Sequence, residues 1–280
     1  MTREPVRDVL ARRGLAARRE LGQNFLLDPR IAAEIAEQAG IGPRDAVIEI
    51  GPGLGVLTHA LAARARRVAA IEIDAGLVRA LAEEGELPDS VELIHADALA
   101  FDLGALAARL GPEVRVVANL PYSISSPLLR RLLDLRTRLR GWVVLLQREV
   151  ALRISAKPGS RDYGSLAVLH QLCTRVERLR GLPPRCFHPA PKVSSMLVRI
   201  TPLDPAPLST DELEAVERVV RAAFGKRRKM LVNALRAGLV PAPDQETLHG
   251  ILDRLGIDRR ARAEELTPRQ HLEITRALRG

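Results

Sequence analysis

Apolar residues in the first 150 positions follow two alternating patterns, short unbroken runs and longer stretches with helical spacing. Ala46 to Ile50, Arg67 to Ile73, Val91 to His95, Val114 to Ala118 and Trp142 to Gln147 are runs of strand length. Such runs are expected of strands covered on both faces. Between them, Val56 to Ala65 and Ala75 to Glu84 read as helices. An earlier helix is framed by its punctuation: Asp28 can cap it, Pro29 fits the first turn, and Gly40 follows the periodic stretch Ile31 to Ala39. Strands alternating with helices predict an α/β fold with right-handed crossovers and a mostly parallel sheet. Ligands of such sheets bind beyond the carboxyl ends of the strands.

The pattern changes at Thr201 to Thr210, TPLDPAPLST, where three prolines interrupt any helical spacing. This predicts a linker dividing residues 1–203 from a smaller unit, 204–280. Ser209 with Glu212 makes a capping box for a helix from Asp211 to Phe224, and Thr267-Pro268 opens a last helix to Leu278, so the tail reads as all-helical. Neither an internal repeat nor a low-complexity tract stands out beyond an Ala and Arg bias.

Composition narrows the class of protein. At 280 residues the chain can bury a substantial core, and its 46% apolar content includes no run long enough to span a bilayer. The first thirty positions lack a cleavable apolar segment, so a soluble cytoplasmic protein with no membrane partner is expected. Cys173 and Cys186 have no companions at metal-ligand spacing and make no disulfide framework; both are read as inert, and no metal is expected. The formal net charge of +9 favours polyanionic partners. Between Pro127 and Arg161 there are nine Lys or Arg against Asp134 and Glu149, a surplus of seven, so the excess is not a detachable tail.

Candidate chemistry sits at the strand ends. Ala46 to Ile50 runs into Gly51-Pro52-Gly53-Leu54-Gly55, whose glycines allow a tight turn and close approach of backbone to a ligand. Alone this loop would also suit a nicotinamide enzyme or bind nothing. Glu72, about 20 residues on at the end of the next strand, sharpens it, because a carboxylate there can accept both ribose hydroxyls of an adenosine. Asp97, after the third strand, could hold the adenine amino group. The fourth strand ends in Asn119-Leu120-Pro121-Tyr122. An adenine N6 is a poor nucleophile until its N–H groups are held by acceptors, and the Asn119 side-chain oxygen and Leu120 carbonyl can supply two. Pro121 stiffens the turn and Tyr122 offers a face to an extruded base. Positioning rather than a strong base then carries the rate. Lys226-Arg227-Arg228-Lys229 is a candidate phosphate clamp.

These blocks resemble the ribosomal RNA adenine dimethyltransferase family, in particular its bacterial small-subunit members. The resemblance covers nearly the whole chain: Gly22 to Leu26, VIEIGPGLGVLT from Val47, Ile71 to Asp74, His95 to Ala98, Asn119 to Tyr122, Tyr163-Gly164, Pro191-Lys192-Val193, and Phe224 to Leu235. It implies a Rossmann-like domain that uses S-adenosylmethionine (AdoMet), followed by a helical domain that contacts RNA. Positions matching Asn24, Leu26, Gly51, Glu72, Asp97 and Asn119 would contact AdoMet; those matching Asn119 and Tyr122 would also face the target adenine. Phe187, in CFHPAPKV, matches a phenylalanine that would close the other side of the base. The implied substrate is 16S ribosomal RNA within the small subunit or its precursor, modified by a monomer. Of seven aromatic residues, Phe25, Tyr122, Tyr163, Phe187 and Phe224 lie in these blocks, where a base needs a π face.

The chain departs from the usual pattern after Tyr122, where Ser123 stands in place of Asn or His, and in a less regular tail. Two rivals share the fold: a macrolide-resistance enzyme acting on large-subunit RNA, and a non-catalytic RNA-binding assembly factor. The stretch Gly256-Ile257-Asp258 through Arg262-Ala263-Glu264 favours the small-subunit type over the first. The intact Glu72, Asp97 and Asn119 weigh against the second.

Overall fold

A computed structural model describes residues 10, 14–18, 20–83, 87–226 and 228–280. In chain order its elements are β1 (Phe25–Leu26), α1 (Pro29–Gln38), β2 (Ala46–Ile50), α2 (Val56–Ala62), β3 (Arg67–Glu72), α3 (Ala75–Glu83), β4 (Val91–His95), α4 (Leu103–Leu110), β5 (Val114–Asn119), α5 (Ser125–Asp134), β6 (Gly141–Gln147), α6 (Arg148–Ile154) and α7 (Ser165–Cys173). There follow β7 (Thr174–Leu182), β8 (Phe187–His188), β9 (Ser195–Pro202), α8 (Thr210–Phe224), α9 (Leu231–Gly238), α10 (Gln245–Arg254) and α11 (Pro268–Arg279).

Among the described residues, the main sheet has the order β4-β3-β2-β5-β6-β9-β7. The pairs β4/β3, β3/β2, β2/β5 and β5/β6 are parallel, whereas β6 and β9 are antiparallel, with Trp142 opposite Ile200 and Gln147 opposite Ser195. The parallel, helix-covered sheet expected from the alternation is therefore present. Every residue of β2 is buried, as its central place demands, and edge strand β4 is only half-buried. The chain builds outward from β2 in one direction through β3 and β4, then crosses back to β5 and β6. This leaves a crevice where the carboxyl ends of β2 and β5 diverge. Asp28 does cap α1, accepting the Arg30 N–H, with Pro29 in the first turn.

Two compact units emerge, Met1–Ala151 with Glu177–Pro202, and Leu152–Val176 with Leu203–Gly280. The expected division at residue 203 differs from this in one segment. Leu152–Val176 carries α7, whose buried Ala167, Val168, Leu169 and Cys173 pack with α8 and α11. No proline-rich stretch marks its departure, because the chain leaves inside α6 and returns inside β7. The second unit has its own core, including Leu235, Leu248, Ile251, Leu252 and Ile274, each about 1% exposed. Full burial of each such side chain contributes roughly 1.5–3 kcal/mol.

Two aromatic expectations are corrected here. Tyr163 is 1% exposed and meets Phe224 edge-on, ring centroids 5.9 Å apart, and Phe224 lies 5.5 Å from the His271 ring. These rings form the interior of the second unit rather than a platform for a base. The basic stretch is also partly internal. Arg136 is 3% exposed and donates to the Leu133 carbonyl, Arg130 pairs with Asp134, Arg140 pairs with Glu113, and Arg131 donates to three backbone carbonyls.

Candidate active site

The loop after β2 is shaped by what it must touch. Gly53 has φ +59°, and a Cβ there would come within 2.8 Å of the Phe25 ring, so only glycine lets the loop lie against that side chain. Glu72, at the end of β3 and 5% exposed, reaches the same loop: one carboxylate oxygen accepts the Gly53 N–H at 3.2 Å, the other the Asp74 N–H at 3.0 Å. Burial raises its pKa, partly offset by these two bonds. A carboxylate has about four lone-pair sites, so capacity remains for two ligand hydroxyls. Ile73 follows, exposed although apolar, and offers a flat greasy wall beside it.

The turn after β5 is held from the other side. The Asn119 side-chain nitrogen donates to the Asn24 carbonyl at 2.8 Å, and the Asn24 amide donates to the Gly22 carbonyl at 3.0 Å. A carbonyl can only accept, so this bond assigns the nitrogen side of the Asn119 amide and leaves its oxygen as the acceptor. Gly22 has φ +65°, and a Cβ there would meet the Ser123 backbone nitrogen at 3.3 Å. That is how closely the segment Leu21 to Leu26 presses on the turn. The Leu120 N–H donates to the Leu145 carbonyl at 3.3 Å, and the Tyr122 hydroxyl shares a 2.7 Å hydrogen bond with the buried Ser195 hydroxyl.

Both halves face one cleft at the switch point, where ligands of such sheets bind. Asn24, Leu26, Gly51, Glu72, Asn119 and Leu120 line it. Asp97 is absent from that lining; it is exposed on the loop after β4, where one of its oxygens accepts the Leu99 N–H at 2.8 Å. Tyr122 lies outside the lining too and is half-buried. Phe187 is 2% exposed, pairs with Leu26 across β1 and β8, and belongs to the hydrophobic core, so in this conformation it offers no open face to a base. Lys226, Arg228 and Lys229 are exposed in the second unit, and Arg227 lies outside the described residues.

Glu49 escaped the sequence reading. It stands inside β2, is 1% exposed and lines the cleft, and among the described residues neither carboxylate oxygen has a hydrogen-bond partner. Burial pushes its pKa up to about 8; the loosely placed Thr58 hydroxyl lowers it by weak hydrogen bonding, and the charge of Glu72 raises it. An orphaned buried carboxyl beside a cleft is unusual and calls for a partner. A cationic ligand would satisfy it. Together with the Glu72 acceptors, this fits AdoMet, whose ribose hydroxyls lie close to a sulfonium on the 5′ carbon and whose amino-acid end adds an ammonium beside a carboxylate. Among the described residues, no group of three His, Cys, Asp or Glu could hold a metal ion.

A family model described as ribosomal RNA adenine dimethylase matches residues 14–279. A ribosomal RNA small subunit methyltransferase A from Geobacillus thermodenitrificans is 42% identical over 276 residues, covering 97% of this chain and 94% of the relative. Among solved structures, a dimethyladenosine transferase from Plasmodium falciparum superposes with TM-score 0.74 at 26% identity, over 89% of this chain and 95% of that one. The 23S rRNA methyltransferase ErmE gives TM-score 0.66 at 29% identity, over 92% of this chain and 100% of that one. The full-length match to the family, on a chain whose glycine loop, Glu72 and Asn119 turn meet at one cleft, places this protein in the ribosomal RNA adenine dimethylase family.

Proposed function

We propose that the chain transfers methyl groups from AdoMet to N6 of two adjacent adenosines in a hairpin near the 3′ end of 16S ribosomal RNA. Each would become N6,N6-dimethyladenosine during small-subunit biogenesis. The observation that carries this reading is the Asn119 amide pinned through its nitrogen by the Asn24 carbonyl at the edge of the cleft, which leaves its oxygen to accept. When bound, AdoMet supplies an electrophilic methyl on a sulfonium leaving group.

The protein's own groups do the rest by placement. Glu72 accepts the ribose hydroxyls while the Gly53 and Asp74 amides hold its carboxylate still. Asn119 and the Leu120 carbonyl accept from the adenine amino group, keeping its lone pair out of the ring and aimed along the transfer line. Tyr122, tethered through Ser195, positions the base. Phe187 backs this site from within the core. Lys226, Arg227, Arg228 and Lys229 take RNA phosphates, Asp97 receives the adenine of the cofactor, and the enzyme works as a cytoplasmic monomer. Among the described residues, no helix is long and apolar enough to cross a membrane.

The test offers unmodified small subunits, large subunits and a naked hairpin to the purified protein and measures methylated adenosines by mass spectrometry. Dimethyladenosine is expected in the small subunits, with monomethyladenosine appearing transiently. Modification mainly of large subunits would transfer the assignment to the resistance-type enzymes, and no transfer to any substrate would leave a binding protein. Asn119→Ala should lose single-turnover transfer far more than AdoMet affinity.

A further inference from the structure

Asp97 has little to fix it in place. It is exposed, its own hydrogen bond is local, and its position depends on the backbone of the loop from Asp97 to Phe101. That loop closes as a single turn in which the Ala100 and Phe101 N–H groups both donate to the Asp97 carbonyl, at 3.0 and 2.8 Å. The N–H groups of Leu99, Ala100 and Phe101 are satisfied internally and the Phe101 carbonyl already accepts the Leu103 N–H at 2.9 Å, so the Ala98 and Leu99 carbonyls are the ones in need of donors.

One side chain supplies them. The guanidinium of Arg131, on α5, donates through Nη1 to the Ala98 carbonyl at 3.1 Å and to the Leu99 carbonyl, and through Nη2 to the Phe101 carbonyl. A planar fork with fixed donor directions can hold three carbonyls of one turn in register, which a single-point ammonium cannot. α5 in turn grows out of the Asn119-to-Tyr122 turn, with the Ser125 hydroxyl donating to the Tyr122 carbonyl at 3.1 Å. Arg131 therefore ties the Asp97 loop to the helix rooted in the methyl-acceptor turn.

We propose that Arg131 is a positioning residue that sets the Asp97 carboxylate for the adenine of AdoMet. This rests on the reading that Asp97 receives the adenine amino group. Calorimetric titration with S-adenosylhomocysteine and its inosine counterpart, which has oxygen in place of that amino group, reads the contact directly and needs no turnover. The unaltered protein is expected to prefer the adenine form by about tenfold or more, as for a hydrogen bond to a charged acceptor. Asp97→Ala should abolish the preference. Arg131→Gln should cut it to less than about threefold while leaving RNA affinity unchanged, and Arg131→Lys, with donors but no fork, should fall between.

A preference in Arg131→Gln equal to that of the unaltered protein overturns the proposal while leaving Asp97 in its role. The Arg131→Lys variant decides the same question if the Gln variant fails to fold, and full preference there counts equally against it. If the unaltered protein shows no preference, or Asp97→Ala keeps it, the adenine role of Asp97 falls and the proposal falls with it.

Discussion

Glu49 and Glu72 are both buried acids in the cleft, yet only Glu72 could be read from the chain. An acid that ends a strand, just before a turn, points to a ligand by its place alone. An acid inside AVIEI looks like one more alternating position, and nothing in the sequence tells that its oxygens go unpartnered. The orphaned group has a pH signature. Because burial holds its pKa near 8, the folded protein keeps a proton that the unfolded chain loses above the ordinary 4.5. Its stabilising share is therefore present below that value and lost as pH rises through about 8. Cofactor affinity should move the opposite way, since a cation entering the cleft favours the ionised carboxyl and expels the proton. We expect AdoMet binding to release protons at pH 7 and to tighten as pH rises toward 8, with a shallower trend for S-adenosylhomocysteine, which lacks the sulfonium charge. Calorimetry in buffers of different ionisation enthalpy measures this; Glu49→Gln should remove the slope, and equal slopes in both proteins would refute it. Glu72→Ala should weaken AdoMet by roughly 1 to 3 kcal/mol, as for a lost charged acceptor.

At the scale of elements, β2, β4 and α1 were legible because unbroken apolar runs and caps are local signals. β1 and β8 were not, since each is two residues long and exists only through its partner, Phe25 with His188 and Leu26 with Phe187. Aromatic placement was misread for a related reason: Tyr163 and Phe224 are 61 residues apart in the chain, and only folding reveals that they face each other. The same interior carries a titratable group on α11. His271 is 1% exposed, its Nε2 donates to the Ala263 carbonyl at 3.0 Å, and burial lowers its pKa from 6.5 to about 4. As pH falls through 6.5 the unfolded chain takes up a proton that the folded helix refuses until about 4. Stability is lost across that window, by up to about 3 kcal/mol. Urea unfolding at pH 7 and pH 4.5, followed by circular dichroism, should show His271→Gln losing less between the two pH values than the unaltered protein. An identical loss would remove His271 from the account.

At the scale of the molecule, the net charge was legible but its use was not. Arg131 and Arg136 serve the fold, whereas Lys226, Arg228 and Lys229 stand exposed, and Lys226 shares a groove with Arg218 and Arg221 in the helical unit. Replacing Lys226, Arg227, Arg228 and Lys229 together should weaken RNA binding and lower the slope of log affinity against log salt by roughly 0.7 to 0.9 per lost phosphate contact. An unchanged slope would mean that the cluster only faces water. The prolines from Thr201 to Thr210 suggested a linker, but Thr201 and Pro202 close β9 and Thr210 opens α8, so only residues 203–209 lie between elements, while the excursion of Leu152–Val176 into the second unit left no compositional trace. That excursion has a consequence for biosynthesis. Chains emerge amino end first, and domains tend to fold as they appear. Here α7 emerges long before α8 and α11, the helices that cover it, while β7, β8 and β9 are still to come. The sheet can be completed once Pro202 is out, but the apolar side of α7 must wait until the last twelve-residue helix is made. A nascent chain arrested at Pro202 would thus hold every cleft residue and still expose a sticky helix, the natural place for a chaperone to bind.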